Sequence, residues 1–177
     1  MGFIRTKILK GKHYAYLVEN SWKRKTSKQK VKGYLGRVHI LEKKPEPDFL
    51  TFIGTSNLHE YIHTNEQEQI VTDLTLYELY LYGFKKTDSF TWNFNGIILN
   101  LENRTISKDN KNVVLKINDG FFCNHTLRNL FSFNQKGRNK EVAFDFARTF
   151  VDAGIKIPKE VFIEFFQKIN TSDNLDQ

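Results

Sequence analysis

Phe3 to Arg37 runs FIRTKILKGKHYAYLVENSWKRKTSKQKVKGYLGR. Character alternates residue by residue through FIRTKIL (3–9), HYAYLVE (13–19) and QKVKGYL (29–35). That is the period of half-buried strands. In the second segment Tyr14, Tyr16 and Val18 share one face, and Ala15 and Leu17 the other. In the third, Val31 and Leu35 alternate against Lys30, Lys32 and Tyr34. Lys10-Gly11-Lys12 reads as a turn in which Gly11 supplies a positive φ. Ser21 to Lys28 reads as a polar, basic loop, and Gly36-Arg37 closes the third strand. The stretch predicts a three-stranded antiparallel meander.

The meander is also where the charge lies. The 177 residues carry 27 Lys/Arg and 20 Asp/Glu, net +7. Residues 1–44 hold 13 Lys/Arg against two acids, net +11. Residues 45–84 hold seven acids and no Lys or Arg, net −7, and residues 85–177 are net +3. A basic sheet beside an acidic segment suits a polyanionic partner. A basic face that is merely solvated is the plainer alternative.

Lys7, Lys10, Lys12, Lys23, Arg24, Lys25, Lys28, Lys30, Lys32 and Arg37 stand among Tyr14, Tyr16, Trp22 and Tyr34. Cations neutralise phosphates and release counterions, and flat rings stack on exposed bases. These fourteen residues are the candidate nucleic-acid-binding set, with Trp22 to Lys25 as a tip able to enter a groove. The competing reading packs the tyrosines on a neighbouring strand and leaves only the lysines exposed.

Tyr16-Leu17-Val18-Glu19, the basic loop, Lys30-Val31 and Tyr34-Leu35-Gly36-Arg37 resemble the N-terminal module of insertion-sequence transposases, a block also seen in small uncharacterised archaeal proteins. The likeness covers roughly the first 40 residues and implies a nucleic-acid-associated module. The loop departs from that pattern in lacking a glycine and in its many lysines. The remainder is too short for a complete transposase catalytic domain, so transposition is not implied.

Beyond the meander, Lys43-Lys44-Pro45-Glu46-Pro47 breaks the chain. The expected layout is a basic β-meander module (1–44), an acidic linker with a short helix (45–69), an α+β core (70–170) and a frayed tail (171–177). Ser56 to Gln69 has helical character, capped by Ser56 or Asn57. Residues 70–84 fit a helical stripe through Ile70, Leu74, Tyr77, Leu81 and Phe84, and also a strand alternation through Leu76, Glu78, Tyr80 and Tyr82. Residues 90–118 predict a hairpin turning at 107–112, with a further turn at Asn118-Asp119-Gly120. Asn124 is placed to cap a short helix, 126–133. Residues 139–153 form the clearest helix, ended by Gly154. Pro158 opens a last helix with the stripe Val161, Phe162, Phe165, Phe166 and Ile169. The fold class is α+β, with an N-terminal meander, a central hairpin and C-terminal helices.

One catalytic pattern stands in the acidic block. His59-Glu60-Tyr61-Ile62-His63 matches H-E-x-x-H, which on a helix sets two histidines on one face for zinc and a glutamate beside them as base. A zinc peptidase needs a third ligand. Glu78 or Asp73 would serve by separation in sequence, Glu66 is too near, and the metzincin histidine and glycine are absent. Glu102, Asp119, Glu141 and Asp145 offer a metal-dependent nuclease its carboxylates. Cys123 and His125 lack a second cysteine pair, so Cys123 reads as a lone buried thiol.

Isolated glycines disfavour a phosphate loop. No apolar run approaches the roughly 18 residues that span a bilayer, and no apolar leader precedes Lys10. A single cysteine fits a reducing, cytoplasmic setting. The expected protein binds DNA or RNA without catalysis, needs no cofactor and has no membrane partner; its acidic block either competes with phosphate for the basic arm or pairs with that arm in a homo-oligomer.

Overall fold

The computed structural model describes residues 2–23, 26–44, 47–132 and 140–172. Pro45 and Glu46 of the expected linker, Asn139, and the tail beyond Ser172 lie outside them. β1 (Gly2–Leu9), β2 (Lys12–Lys23) and β3 (Thr26–Ile40) form the predicted meander. Lys10 and Gly11 turn β1 into β2 with φ of 51° and 71°, the left-handed pair that matches strand twist. The expected basic loop is mostly ladder: Ser21, Trp22 and Lys23 pair with Lys28, Ser27 and Thr26. Trp and Thr favour strands, and the pairing runs as far as Lys23 and Thr26.

β3 does not stop at Gly36-Arg37 either. It continues through Val38-His39-Ile40, strand-forming residues that line up parallel to Val114-Leu115-Lys116. Gly36, at φ 142°, makes this approach possible: a Cβ there would lie 2.4 Å from the Asn112 carbonyl oxygen.

Three helices follow. α1 (Phe49–Ile53) starts at Asp48, whose carboxylate accepts from Thr51 N at 3.0 Å. α2 (Leu58–Thr64) starts at Asn57 and ends at Asn65, so the helix expected over 56–69 is divided there. α3 (Gln67–Leu81) settles the ambiguous segment as helix. Ile70, Val71, Leu74, Leu79 and Leu81 bury a face too broad for strand alternation.

The hairpin expected over 90–118 contains more reversals than one. β4 (Lys85–Lys86), β5 (Thr91–Phe94), β6 (Ile97–Asn100), β7 (Thr105–Lys108) and β8 (Lys111–Ile117) run antiparallel in succession, and β9 (Gly120–Phe122) folds back on β8. Asn95-Gly96 and Asp109-Asn110 make the tight turns, all four with positive φ. The sheet order is β1-β2-β3-β8-β7-β6-β5-β4, with β9 also on β8. The single parallel seam among the described residues, β3–β8, joins the basic meander to the rest.

α4 (Asn124–Phe131), α5 (Lys140–Ala153) and α6 (Lys159–Ser172) complete the described chain. Cys123, not Asn124, caps α4; Thr126 Oγ1 accepts from Cys123 N at 3.0 Å. Asn124 instead accepts from Ile106 N at 2.7 Å and so pins α4 to β7. Gly154 ends α5 at φ 76°. Pro158 precedes α6, its carbonyl accepting from Phe162 N at 2.9 Å. The main core packs Leu74, Leu79 and Phe84 against Leu99, Ile106, Leu115, Phe122, Phe150 and Phe165. A smaller cluster of Ala15, Val114 and Cys123, with Ile4, Leu35, Val38 and Phe121, seats the meander on that core. No helix among the described residues is long and apolar enough to cross a membrane.

Candidate functional site

Strand pairing sorts the basic residues by face. Arg5 and Lys7 of β1 stand opposite Tyr16 and Tyr14 of β2, and Tyr16 and Tyr14 stand opposite Tyr34 and Arg37 of β3. Paired residues share a face, so these six groups lie together. Lys12 joins them by alternation with Tyr14. The Tyr16 and Tyr34 rings are 5.5 Å apart and tilted by 54°; Tyr14 and Tyr34 are 6.3 Å apart. Lys7 Nζ lies 5.6 Å from the Tyr16 ring centre. Arg5 Nη1 donates to the Gln29 side-chain carbonyl. Tyr34 is 56% exposed, while Tyr14 and Tyr16 are half-buried against it. Burial, and then the neighbouring phenols Tyr14 and Tyr16, push the Tyr34 hydroxyl above its ordinary range. It stays a neutral donor at physiological pH.

Tyr34 and Arg37 reach this face through two register shifts. Lys32 and Leu35 are each an extra residue on β3, one between the Val31–Val18 and Gly33–Leu17 pairs, the other between Tyr34–Tyr16 and Gly36–Ala15. Each bulge resets the alternation. Simple alternation sets Tyr34 opposite to Val31; the bulge at Lys32 brings both to the side of Val18 and Tyr16.

The other lysines go elsewhere. Lys28 and Lys30 pair with Ser21 and Glu19 on the reverse face. Lys32 binds Glu19 at 2.8 Å, and that hydrogen bond holds the Glu19 carboxyl below its ordinary value. Lys10 sits in the turn. Arg24 and Lys25 lie outside the described residues, as do the side chains of Trp22 and Lys23. Arg5 is the residue the sequence reading omits, although alternation in FIRTKIL already sets it with Lys7.

A second group forms where α2 meets α6. His59 and His63 face the same way, with ring centres 4.2 Å apart. Glu164 of α6 reaches His59, Oε2 to Nδ1 at 3.1 Å. One ligand atom from each of His59, His63 and Glu164 lies within 4.8 Å of the others. The third residue is therefore neither Glu78 nor Asp73. Glu78 is buried under Lys43 and Asn118, and Asp73 accepts from Tyr61 Oη at 2.6 Å. That bond and burial push the Tyr61 hydroxyl upward, burial first. Glu60 closes the start of α2: its amide donates to Asn57 Oδ1 and its carboxylate accepts from Asn57 Nδ2, both at 3.1 Å. Glu164 carries no local sequence signal, because only the packing of α6 on α2 brings it near.

No protein-family model matches the chain, and comparison with curated proteins and with solved structures returns no match. The chemistry of the site therefore rests on its own geometry.

The scattered carboxylates do not converge among the described residues. Asp119 lines a cleft of about 410 Å³ between the meander and α4–α5, together with Glu19, His125 and Asp152. Glu102 lines a separate depression beside α3. Asp145 is exposed on α5, and the Glu141 side chain lies outside the described residues. Cys123 is a free, buried thiol, 3.7 Å from Thr126 Oγ1.

Proposed function

We propose that the N-terminal sheet binds single-stranded nucleic acid, with Tyr14, Tyr16 and Tyr34 as the base platform and Arg5, Lys7, Lys12 and Arg37 as its phosphate contacts. The observation that carries this reading is the tyrosine cluster: three rings on one open sheet face, bordered by cations. An exposed ring flanked by cations serves a base and its phosphate together. A duplex hides its base faces, so a platform of rings favours unpaired strands. The net charge of +11 over residues 1–44 adds an electrostatic term common to DNA and RNA.

The test is anisotropy titration of labelled single-stranded and duplex DNA and RNA into the full chain. Single strands bind more tightly than duplex, and affinity falls as salt rises. Tyr34→Ala weakens single-strand binding by about 1–3 kcal/mol, roughly 5- to 150-fold. Replacing Lys23, Arg24 and Lys25 together by Ala weakens all sequences alike and flattens the salt slope. Absence of binding at low salt, or affinity indifferent to Tyr34→Ala, overturns the reading.

A further inference from the structure

We infer that His59, His63 and Glu164 form a binding site for a zinc-class divalent metal ion that clamps α2 to α6, independently of the nucleic-acid face. The donor set is two imidazoles and one carboxylate. This mixed nitrogen and oxygen set suits zinc and its late first-row neighbours, whereas calcium and magnesium prefer all-oxygen shells.

The distances are close to those a metal needs. Bonds of about 2.0–2.1 Å in a tetrahedron separate neighbouring ligand atoms by about 3.3 Å. His59 and Glu164 already stand 3.1 Å apart. The whole set lies within 4.8 Å, so modest side-chain rotation closes the remaining gap. Both histidines are exposed and pay little in desolvation to turn toward an ion.

The backbone under the site is already fixed. Glu164 and Lys168 lie one turn apart on α6 and both address α2. Lys168 Nζ donates to Ile62 O at 2.9 Å and also to Asn65 O, closing the C-terminal end of α2. Glu164 meets the opposite part of the same helix through His59. Ile62, wholly buried between the two histidines in sequence, holds the histidine-bearing face at the surface.

The arrangement differs from a hydrolytic centre in one respect. Glu60, the base of the H-E-x-x-H pattern, is engaged with Asn57 at the helix start. The role assigned to the ion is therefore to lock α6 in place, with water or a partner's group completing its shell.

The experiment is zinc titration of the full chain, stripped with chelator beforehand, by calorimetry in competition with a chromophoric chelator. Thermal unfolding is followed in parallel. One zinc ion binds per chain, and the unfolding midpoint rises with zinc concentration. Cobalt(II) substitution gives the intense visible bands of a four-coordinate ion. His63→Ala and Glu164→Gln each weaken binding more than about tenfold and abolish the zinc-dependent midpoint rise. Glu164→Gln keeps the size of the side chain, and its midpoint without zinc reports whether the fold is intact. Failure to bind zinc stoichiometrically overturns the site. So does equal affinity in Glu164→Gln, which would leave only a surface histidine pair.

Discussion

Asn118 Nδ2 donates to Glu78 Oε1 at 2.7 Å, tying the β8–β9 turn to the last turn of α3. Lys43 Nζ reaches the same oxygen at 2.9 Å, and Lys156 N approaches Oε2 at 3.4 Å. Asn118 Nδ2 also donates to Gly154 O at 2.7 Å. One carboxylate, 1% exposed, thus gathers the segment after β3, the central sheet and the α5–α6 connection. Glu78→Ala removes the acceptor that these three segments share, although Asn118 Nδ2 keeps Gly154 O and water reaches Lys43. A loss of about 1–3 kcal/mol in urea denaturation is expected. Glu78→Gln keeps an acceptor for Asn118 and costs less.

Gly36 marks the seam between the meander and the core. Any side chain there meets the Asn112 carbonyl and a φ that L residues avoid. Gly36→Ala is expected to cost about 2–5 kcal/mol from backbone strain and overpacking together. Hydrogen exchange localises the effect: the amides of Val38 and Ile40 lose protection first, while those of β6 and β7 keep theirs.

The period-2 face of β2 is legible in the sequence because no bulge interrupts Tyr14, Tyr16 and Val18. The face of β3 is not, because Lys32 and Leu35 each add a residue and nothing in QKVKGYLG states which residue is extra. Gly33 and Gly36 hint at irregularity without fixing the parity. Asn95-Gly96 is the plain turn signal inside the central segment, and a hairpin that turns only at 107–112 passes over it. In α3 the buried Glu78 blurs the apolar stripe, since its partners come from residues 43, 118 and 156. Asn57 and the pair of histidines on α2 follow from local spacing. Glu164 stands 105 residues from His59, and no local pattern carries information over that separation.

Two half-buried histidines set the pH dependence near neutrality. Burial lowers the His39 imidazole, followed by Arg37 and Lys108. Burial lowers His125 as well, with Arg128 in the same sense and Asp152 opposing. His125 Nε2 lies 3.4 Å from Asn129 Nδ2, a contact that needs the neutral ring. The unfolded chain therefore binds protons that the folded chain refuses. Their contribution is present above the ordinary histidine value of about 6.5 and is lost as pH falls through the lower folded values. Urea midpoints are expected to drop between pH 7 and 5. The drop shrinks when His39 and His125 are both replaced by Asn. The lowered carboxyls of Glu19, Asp48 and Asp88 act only below their ordinary values, near pH 4, and do not enter this window.

The two faces of the meander supply a charge-matched test of where a polyanion lies. Arg5→Ala with Lys7→Ala removes two cations beside the tyrosine rings; Lys28→Ala with Lys30→Ala removes two from the reverse face. Each double substitution lowers the net charge equally, so the long-range attraction changes alike. Direct phosphate contacts do not. For a single strand each lost contact reduces the salt slope by about 0.7. The first variant is expected to weaken single-strand binding and to flatten its slope by one to two such steps. The second is expected to keep the slope and to lose only the general attraction, an effect that screening removes at physiological salt. Equal slopes in the two variants would mean that charge alone, and not the tyrosine face, directs the strand.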